Sequence, residues 1–269
     1  MSQPQIGIIN LLPHEHPDAL LRQAIGVALG TGAPEPLLLH LDAPSSELQR
    51  ADVLLLAAPS SELNALAQRG IRLGLDLFIA NAAHLTAQEL STLAPLAREA
   101  RARVGLGGLM LPLRPTALEL PPVATVIVEG RRHLPAVGQR AALTADLGTL
   151  LRLFDSSIAV RSMRLHTAGS AALMVLVEMA NGSLISYLQQ RDEHPTGLQI
   201  ELHGAEGTTT LMEEPEMPPL AYELGLLLAS DEMDASPMLN LAMRTAMLVE
   251  RIAATTDARG SNILDQSPL

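Results

Sequence analysis

The chain has 269 residues, 48 % hydrophobic but only 1 % aromatic, with a formal net charge of −11. It contains no cysteine and no lysine, so all 18 basic side chains are arginine. These facts exclude disulfides, thiolate nucleophiles, cysteine-bound zinc and proton transfer through a lysine amine, since arginine stays charged at ordinary pH. The acidity, with no basic run denser than Arg131-Arg132, argues against a nucleic-acid partner, whose phosphates need a cationic footprint. Met1-Ser2-Gln3-Pro4 has neither the charged nor the long apolar region of a signal peptide, and no apolar stretch is long enough to span a bilayer. A cytoplasmic protein without membrane contact is expected. The length suits one large or two modest domains, with a core of Leu, Ala, Val, Ile and Met.

In chain order, Gln5 to Leu11 is a compact apolar run, broken by Pro13-His14-Glu15-His16-Pro17. Asp18 to Leu29 has helical spacing, with Leu20, Leu21, Ala24, Ile25 and Ala28 on one face. Leu37 to Leu41 reads as a strand ending at Asp42, and Asp52 to Ala57 as another, ending at Ala58-Pro59-Ser60. Glu62 to Gln68 is helical and stops at Gly70; Leu75 to Ile79 is a fourth strand. Thr86-x-x-Glu89 is a capping box that opens a helix running to about Arg101, and Val104 to Leu111 is a fifth strand. Uniformly apolar strands alternating with helices predict a Rossmann-like, doubly wound parallel sheet over residues 1–113.

Residues 114–269 read differently. A helix over Ala141 to Phe154 precedes the strands Ile158–Leu165, Ala171–Ala180, Ser183–Gln190, Leu198–His203 and Thr208–Met212. Asn181-Gly182 is the dipeptide favoured by a type I′ hairpin, and Gly204 to Gly207 is a second tight turn. An α+β domain with a mainly antiparallel sheet is predicted. Glu213 to Pro219 reads as an acidic, proline-rich loop, and Met238 to Ala254 as an amphipathic helix.

Several segments together resemble the Gfo/Idh/MocA oxidoreductase family, the glucose–fructose oxidoreductase and inositol 2-dehydrogenase relatives. Ala51-Asp-Val-Leu-Leu-Leu-Ala-Ala-Pro-Ser60 is similar to that family's "D-a-V-v-I-a-t-P" strand and loop. Leu77-Phe-Ile-Ala-Asn-Ala-Ala-His-Leu-Thr86 is similar to its "V-l-v-E-K-P-l-a-l-T" segment. Glu178 to Ser183 and Ile200 to Gly207 resemble its "f-x-n-G" hairpin and "i-x-G-x-x-G" turn, and Ala145 to Leu153 its "x-D-x-G-x-H-x-x-D" helix. The likeness spans most of the chain, in order and spacing. It departs at the functional positions. Asn10, Leu12 and Glu15 stand where the nucleotide-binding glycines belong; Leu12 crowds a pyrophosphate and Glu15 repels it. Asn81 replaces the family's lysine, Leu150 its catalytic histidine and Leu153 the following aspartate, while Asp146 and Gly148 are kept. The stretch between Leu111 and Ala141 looks trimmed.

Two functions follow from the resemblance. The first is a degenerate homologue without conventional NAD(P)-dependent hydride transfer, acting as a partner subunit, scaffold or small-molecule binder, with no cofactor required. The second is an active NAD- or NADP-dependent oxidoreductase on a sugar or cyclic polyol. Asn81, His84 and Asp146 are then its catalytic candidates, and Asn10, Asp42, Pro59 and Ser60 line the cofactor. Each residue also has an ordinary reading: Asp42 as the N-cap of the short segment after it, Asn81 and His84 as turn residues. His14 and His16 offer a His-x-His pair for zinc or iron, but with no third ligand in view the preferred reading is a solvated loop, and no metal site is predicted. His166 and His203 are read as sheet residues. Arg161 and Arg164 fit a solvated sheet face better than a substrate carboxylate. Ala171, Leu173, Val175, Val177 and Met179 lie on one strand face, and Ala172, Met174, Leu176 and Glu178 on the other. A helix is expected to cover one face and a partner subunit the other, as the resemblance implies for a homodimer or hetero-oligomer.

Overall fold

The computed structural model describes residues 3–12, 14, 18–112, 125–135, 139–154, 158–169, 171–205, 207–212, 218–229 and 236–258. The chain divides into two compact units. The first comprises residues 1–108 and 216–244, the second residues 109–215 and 245–269.

In the first unit, β1 (Ile6–Asn10), β2 (Leu37–Leu38), β3 (Val53–Ala57), β4 (Asp76–Ile79) and β5 (Val104–Leu106) form an all-parallel sheet in the order β2-β1-β3-β4-β5. Every residue of β3 is buried, as a central strand covered on both faces requires. One cover is α1 (Asp18–Leu29), whose Leu21 and Ile25 pack with Ile6, Ile8, Val53, Leu55 and Phe78. On the opposite face, Gly70 of α3 (Ser60–Arg72) lies against the side chains of Leu77 and Leu54. A Cβ at Gly70 would sit 2.6 Å from Leu77 Cδ2, so the glycine permits close approach of helix to sheet. It therefore does not stop the helix, as the sequence reading had it. In α1, Leu20 is 54 % exposed and off the buried face where it was expected.

The capping box forms as expected: Glu89 N donates to Thr86 Oγ1 (3.2 Å) and Thr86 N to Glu89 Oε2 (2.8 Å), opening α4 (Ala87–Ala100). Two strands are shorter than predicted. β2 ends at Leu38, and the chain turns with Ala43 N bonded to His40 O; β5 ends at Leu106, and Gly108 follows with φ +78°. The short helix α2 (Ser45–Leu48) precedes β3, and α6 (Pro219–Ala229) is a helix the sequence analysis does not anticipate. It returns to the first unit, where Leu224 and Leu227 join the α1 core.

The second unit holds a six-stranded sheet, β11-β10-β6-β9-β8-β7, from β6 (Ile127–Leu134), β7 (Val160–Ala168), β8 (Ala172–Met179), β9 (Leu184–Arg191), β10 (Gln199–Gly204) and β11 (Gly207–Met212). All neighbours are antiparallel except β6 and β9, which run parallel. β6 sits in the stretch the sequence reading took as trimmed, and it is an interior strand. One sheet face carries Leu173, Val175, Val177, Met179, Ile185 and Tyr187, all fully buried. Over it lies α5 (Gln139–Arg152), where Leu150 Cδ1 would be 3.0 Å from a Cβ placed at Gly130, closer than ordinary van der Waals contact. The other face keeps Ala172, Met174, Leu176 and Glu178 half-buried. The Asn181-Gly182 hairpin differs from the expected type I′. Only Gly182 has positive φ (+84°), with Gly182 N bonded to Met179 O and Met179 N to Ser183 O, which is a type I turn closed by a G1 bulge. The final helix, α7 (Ser236–Ala258), contributes residues 236–244 to the first unit and 245–258 to the second.

Candidate functional site

In an open parallel sheet, ligands bind outside the carboxyl ends of the strands, where the strand order reverses. Here the chain moves from β1 to β2 in one direction and from β3 to β4 in the other, so the switch point lies between the carboxyl ends of β1 and β3. Asn10, Pro59 and Asn81 all lie at this edge. Leu11 N bonds to Ala57 O (2.7 Å), tying the first loop to the end of β3.

Each of these groups is engaged internally. Asn10 Nδ2 donates to Asp18 Oδ1 (2.6 Å), and Leu12 N donates to Asn10 Oδ1 (3.0 Å). The β1–α1 turn is thus closed by a side-chain carbonyl on a backbone amide, with the Asp18 carboxylate at the first residue of α1. A pyrophosphate needs those amides and the positive end of the helix dipole for itself. Among the described residues of this connection, Asn10, Leu12 and Asp18 do not fit one. Asn81 is buried and forms a reciprocal pair with the backbone of Ala58: Nδ2 donates to Ala58 O (2.7 Å), and Oδ1 accepts from Ala58 N (3.4 Å). It clamps the end of β3 to the end of β4.

His84 is exposed, on a 3-10 turn of Ala82–His84 whose closing amide bonds to Asn81 O (3.1 Å). Asp42 is exposed in the turn after β2. It does not cap the following helix, since Pro44 is the N-cap of α2 and supplies no side-chain bond. Pro59 is the N-cap of α3, and Ser60 its first residue, with a side chain outside the described set. Of the His14-Glu15-His16 cluster, Glu15 and His16 lie outside the described residues, and His14 is exposed. Arg161 is exposed on β7 and pairs with Glu178 of β8 (3.1 Å); Arg164 and His166 are also exposed.

Asp146 belongs to the second unit and is fully buried in α5. Arg132 Nη1 lies 2.6 Å from its Oδ1, and Tyr187 Oη donates to its Oδ2 (2.5 Å), with Gln189 Oε1 3.4 Å from the same hydroxyl. Burial, then the Asp146 charge and hydrogen bond, hold the Tyr187 phenol well above its ordinary pKa; the Arg132 charge opposes them. The kept Gly148 has a steric cause: a Cβ there would fall 2.0 Å from Leu109 O. Leu150 is fully buried over Gly130.

Sequence reasoning passed over Arg132, Tyr187 and Glu223. The last is a lone acid in the apolar run of α6, buried, with Gly108 N donating to it (2.8 Å) just beyond β5. A single carboxylate among Leu and Ala is itself a signal that it has a partner.

A Rossmann-like sheet unit with helices on both faces, followed by a mixed six-stranded sheet under a buried helix, defines a two-domain dehydrogenase-type fold. No protein-family model matches the chain, and no curated protein matches it by sequence. Solved structures do. UDP-N-acetylglucosamine 3-dehydrogenase GnnA from Acidithiobacillus ferrooxidans superposes with TM-score 0.65 at 14 % identity, over 96 % of this chain and 99 % of that one. A Gfo/Idh/MocA family oxidoreductase from Vibrio cholerae gives 0.62 at 14 %, over 95 % and 100 %. Apo scyllo-inositol dehydrogenase from Lactobacillus casei gives 0.63 at 9 %, over 96 % and 97 %. The chain has the fold of the Gfo/Idh/MocA dehydrogenases, at a sequence distance where only the fold is held in common. Among the described residues, no helix is long and apolar enough to cross a membrane.

Proposed function

We propose that this chain is a divergent Gfo/Idh/MocA homologue that keeps the dehydrogenase framework without conventional NAD(P)-dependent hydride transfer. It serves as a partner subunit, scaffold or small-molecule binder. The observation that carries this reading is the β1–α1 turn, where Asn10 takes the Leu12 amide and holds Asp18 at the start of α1. A dinucleotide diphosphate entering there must displace an internal hydrogen bond and approach a carboxylate. Two further substitutions agree with it. Asn81 is bound to Ala58 at the position of the family's lysine, and Leu150 is core at the position of its histidine. Half-buried Met174, Leu176 and Leu188 on the open face of the second sheet support association with another subunit there.

The test is a thermal-shift and fluorescence titration with NADH and NADPH at millimolar concentration. No shift and no enhancement are expected. A ligand that binds only the folded state at 100 times its dissociation constant adds about 2.7 kcal/mol, an unmistakable rise, and such a rise would overturn the proposal.

The second reading is an active oxidoreductase on a sugar or cyclic polyol. The names of the similar structures favour it, since they include dehydrogenases of a nucleotide sugar and of an inositol. It requires substrate-dependent reduction of NAD or NADP by the purified protein, abolished in His84→Ala.

A further inference from the structure

We propose that Glu129, Glu201 and His203 form a binding site for a divalent transition cation of the zinc and cobalt class, on the open face of the second sheet. Among the described residues, this is the group in which three such side chains bring ligand atoms within 4.8 Å of one another. The strands impose the arrangement. Glu129 of β6 and Glu201 of β10 are direct Cα partners across an antiparallel pair, and His203 lies two residues along β10 on the same face. Two carboxylates placed directly opposite repel. Arg131 Nη2 meets Glu129 Oε2 at 3.1 Å, which sets one nearby guanidinium against two acids. A cation between the acids removes the repulsion and uses both.

The histidine is oriented for this role. Its Nδ1 lies 3.0 Å from Thr208 Oγ1, the residue paired with it on β11, and its Nε2 is turned toward Glu201 Oε2 at 3.7 Å. In the tautomer whose Nδ1 proton is donated to the threonine, Nε2 carries the lone pair and faces the carboxylates, which is how outer partners prepare a metal-binding imidazole. All three side chains are partly shielded, at 34–45 % exposure, and stand on paired strands rather than on a loop. A groove of about 330 Å³ on the same face is bordered by Glu129, Arg131, Met174, Leu188 and Gln199, and of the three ligands Glu129 alone lines it. One imidazole nitrogen with two carboxylate oxygens suits a borderline cation better than magnesium or calcium, which take oxygen alone, or copper(I), which prefers sulfur. The site is independent of the dinucleotide question, because it lies wholly within the second sheet.

The experiment is titration of the full chain with Zn²⁺ by calorimetry, and with Co²⁺ by visible absorption, near neutral pH. One saturable site per chain is expected, with cobalt bands of a four- or five-coordinate N/O environment. His203→Ala and Glu201→Gln should each weaken binding at least tenfold. Thr208→Val, which leaves all three ligands in place, should weaken it about tenfold through loss of ring orientation. Asp192 lies between His133 and His194 elsewhere on this unit, so His194→Ala is the control for ordinary surface-histidine binding and should leave the titration unchanged. Circular dichroism of each variant without metal checks the fold. Absence of a saturable site, or a site that survives both His203→Ala and Glu201→Gln, overturns the proposal. So does a site lost in His194→Ala.

Discussion

Replacing Asp146 with Asn tests whether this residue holds the second unit together. Asp146 is fully buried; its partner Arg132 keeps 15 % of its side chain exposed, and their closest atoms are 2.6 Å apart. The amide conserves shape but not charge. One of its ends can accept, from Arg132 or from Tyr187, while the other becomes a donor facing a group that donates to the carboxylate. The variant therefore loses one charge-assisted bond and removes the Asp146 charge from beside the guanidinium. Breaking a buried ion pair by removing one partner costs about 3–5 kcal/mol. Retention of one hydrogen bond and the partial exposure of Arg132 place Asp146→Asn near the lower end, about 3 kcal/mol. The double variant Arg132→Met with Asp146→Leu removes both charges. It should recover much of the loss, because paired ions and well-packed apolar side chains are of similar stability in such positions. Urea unfolding monitored by circular dichroism measures both, with the midpoint shift read at constant slope. A loss below about 1 kcal/mol for Asp146→Asn, or a double variant as unstable as the sum of its single variants, would refute the reasoning.

Tyr187→Phe should change the alkaline limb of stability. The folded phenol's pKa is raised, so it stays neutral while the unfolded phenol ionises near 10. Its contribution is whole below about pH 10 and declines above it, by up to about 1.4 kcal/mol per pH unit, a slope the phenylalanine variant should lack in unfolding curves between pH 10 and 11. Asn81→Ala strips two hydrogen bonds from the buried backbone of Ala58 and should cost about 2–4 kcal/mol by chemical denaturation; a neutral result would refute the clamp. Thr86→Ala removes the cap of α4 and should cost about 1 kcal/mol, with Thr86→Ser retaining most of it.

The Rossmann-like half was legible because its signals are local. The apolar spacing of Asp18 to Leu29 matches the observed α1 end to end, and the capping box predicts the start of α4 to the residue. Five strands of the second sheet, β7 to β11, announce themselves by hairpin turns and apolar runs. β6 was not legible. Its inward positions are Val128, Gly130, Arg132 and Leu134, so an arginine and a glycine interrupt the apolar period. Arg132 is accommodated there by Asp146, fourteen residues on and in another element, which supplies an opposite charge. The return of α6 to the first unit is similarly non-local, since an apolar segment does not say which sheet it covers. The candidate site was legible as a list of replaced residues. What those residues do instead was not.

Chain order and composition alone determine the alternation of strand and helix, the exclusion of thiol and lysine chemistry, and the departure from a nucleotide-binding glycine loop. These depend on residue identity and near-neighbour spacing, which a sequence carries directly. Folding decided that Asn10 closes its own turn, that Asn81 clamps Ala58, and that Glu129, Glu201 and His203 meet across two strands. Asn10 with Asp18, Asn81 with Ala58 and Glu129 with His203 are 8, 23 and 74 residues apart and are brought close only by folding, because hydrogen bonds and Coulomb forces act over ångströms of space rather than along the chain.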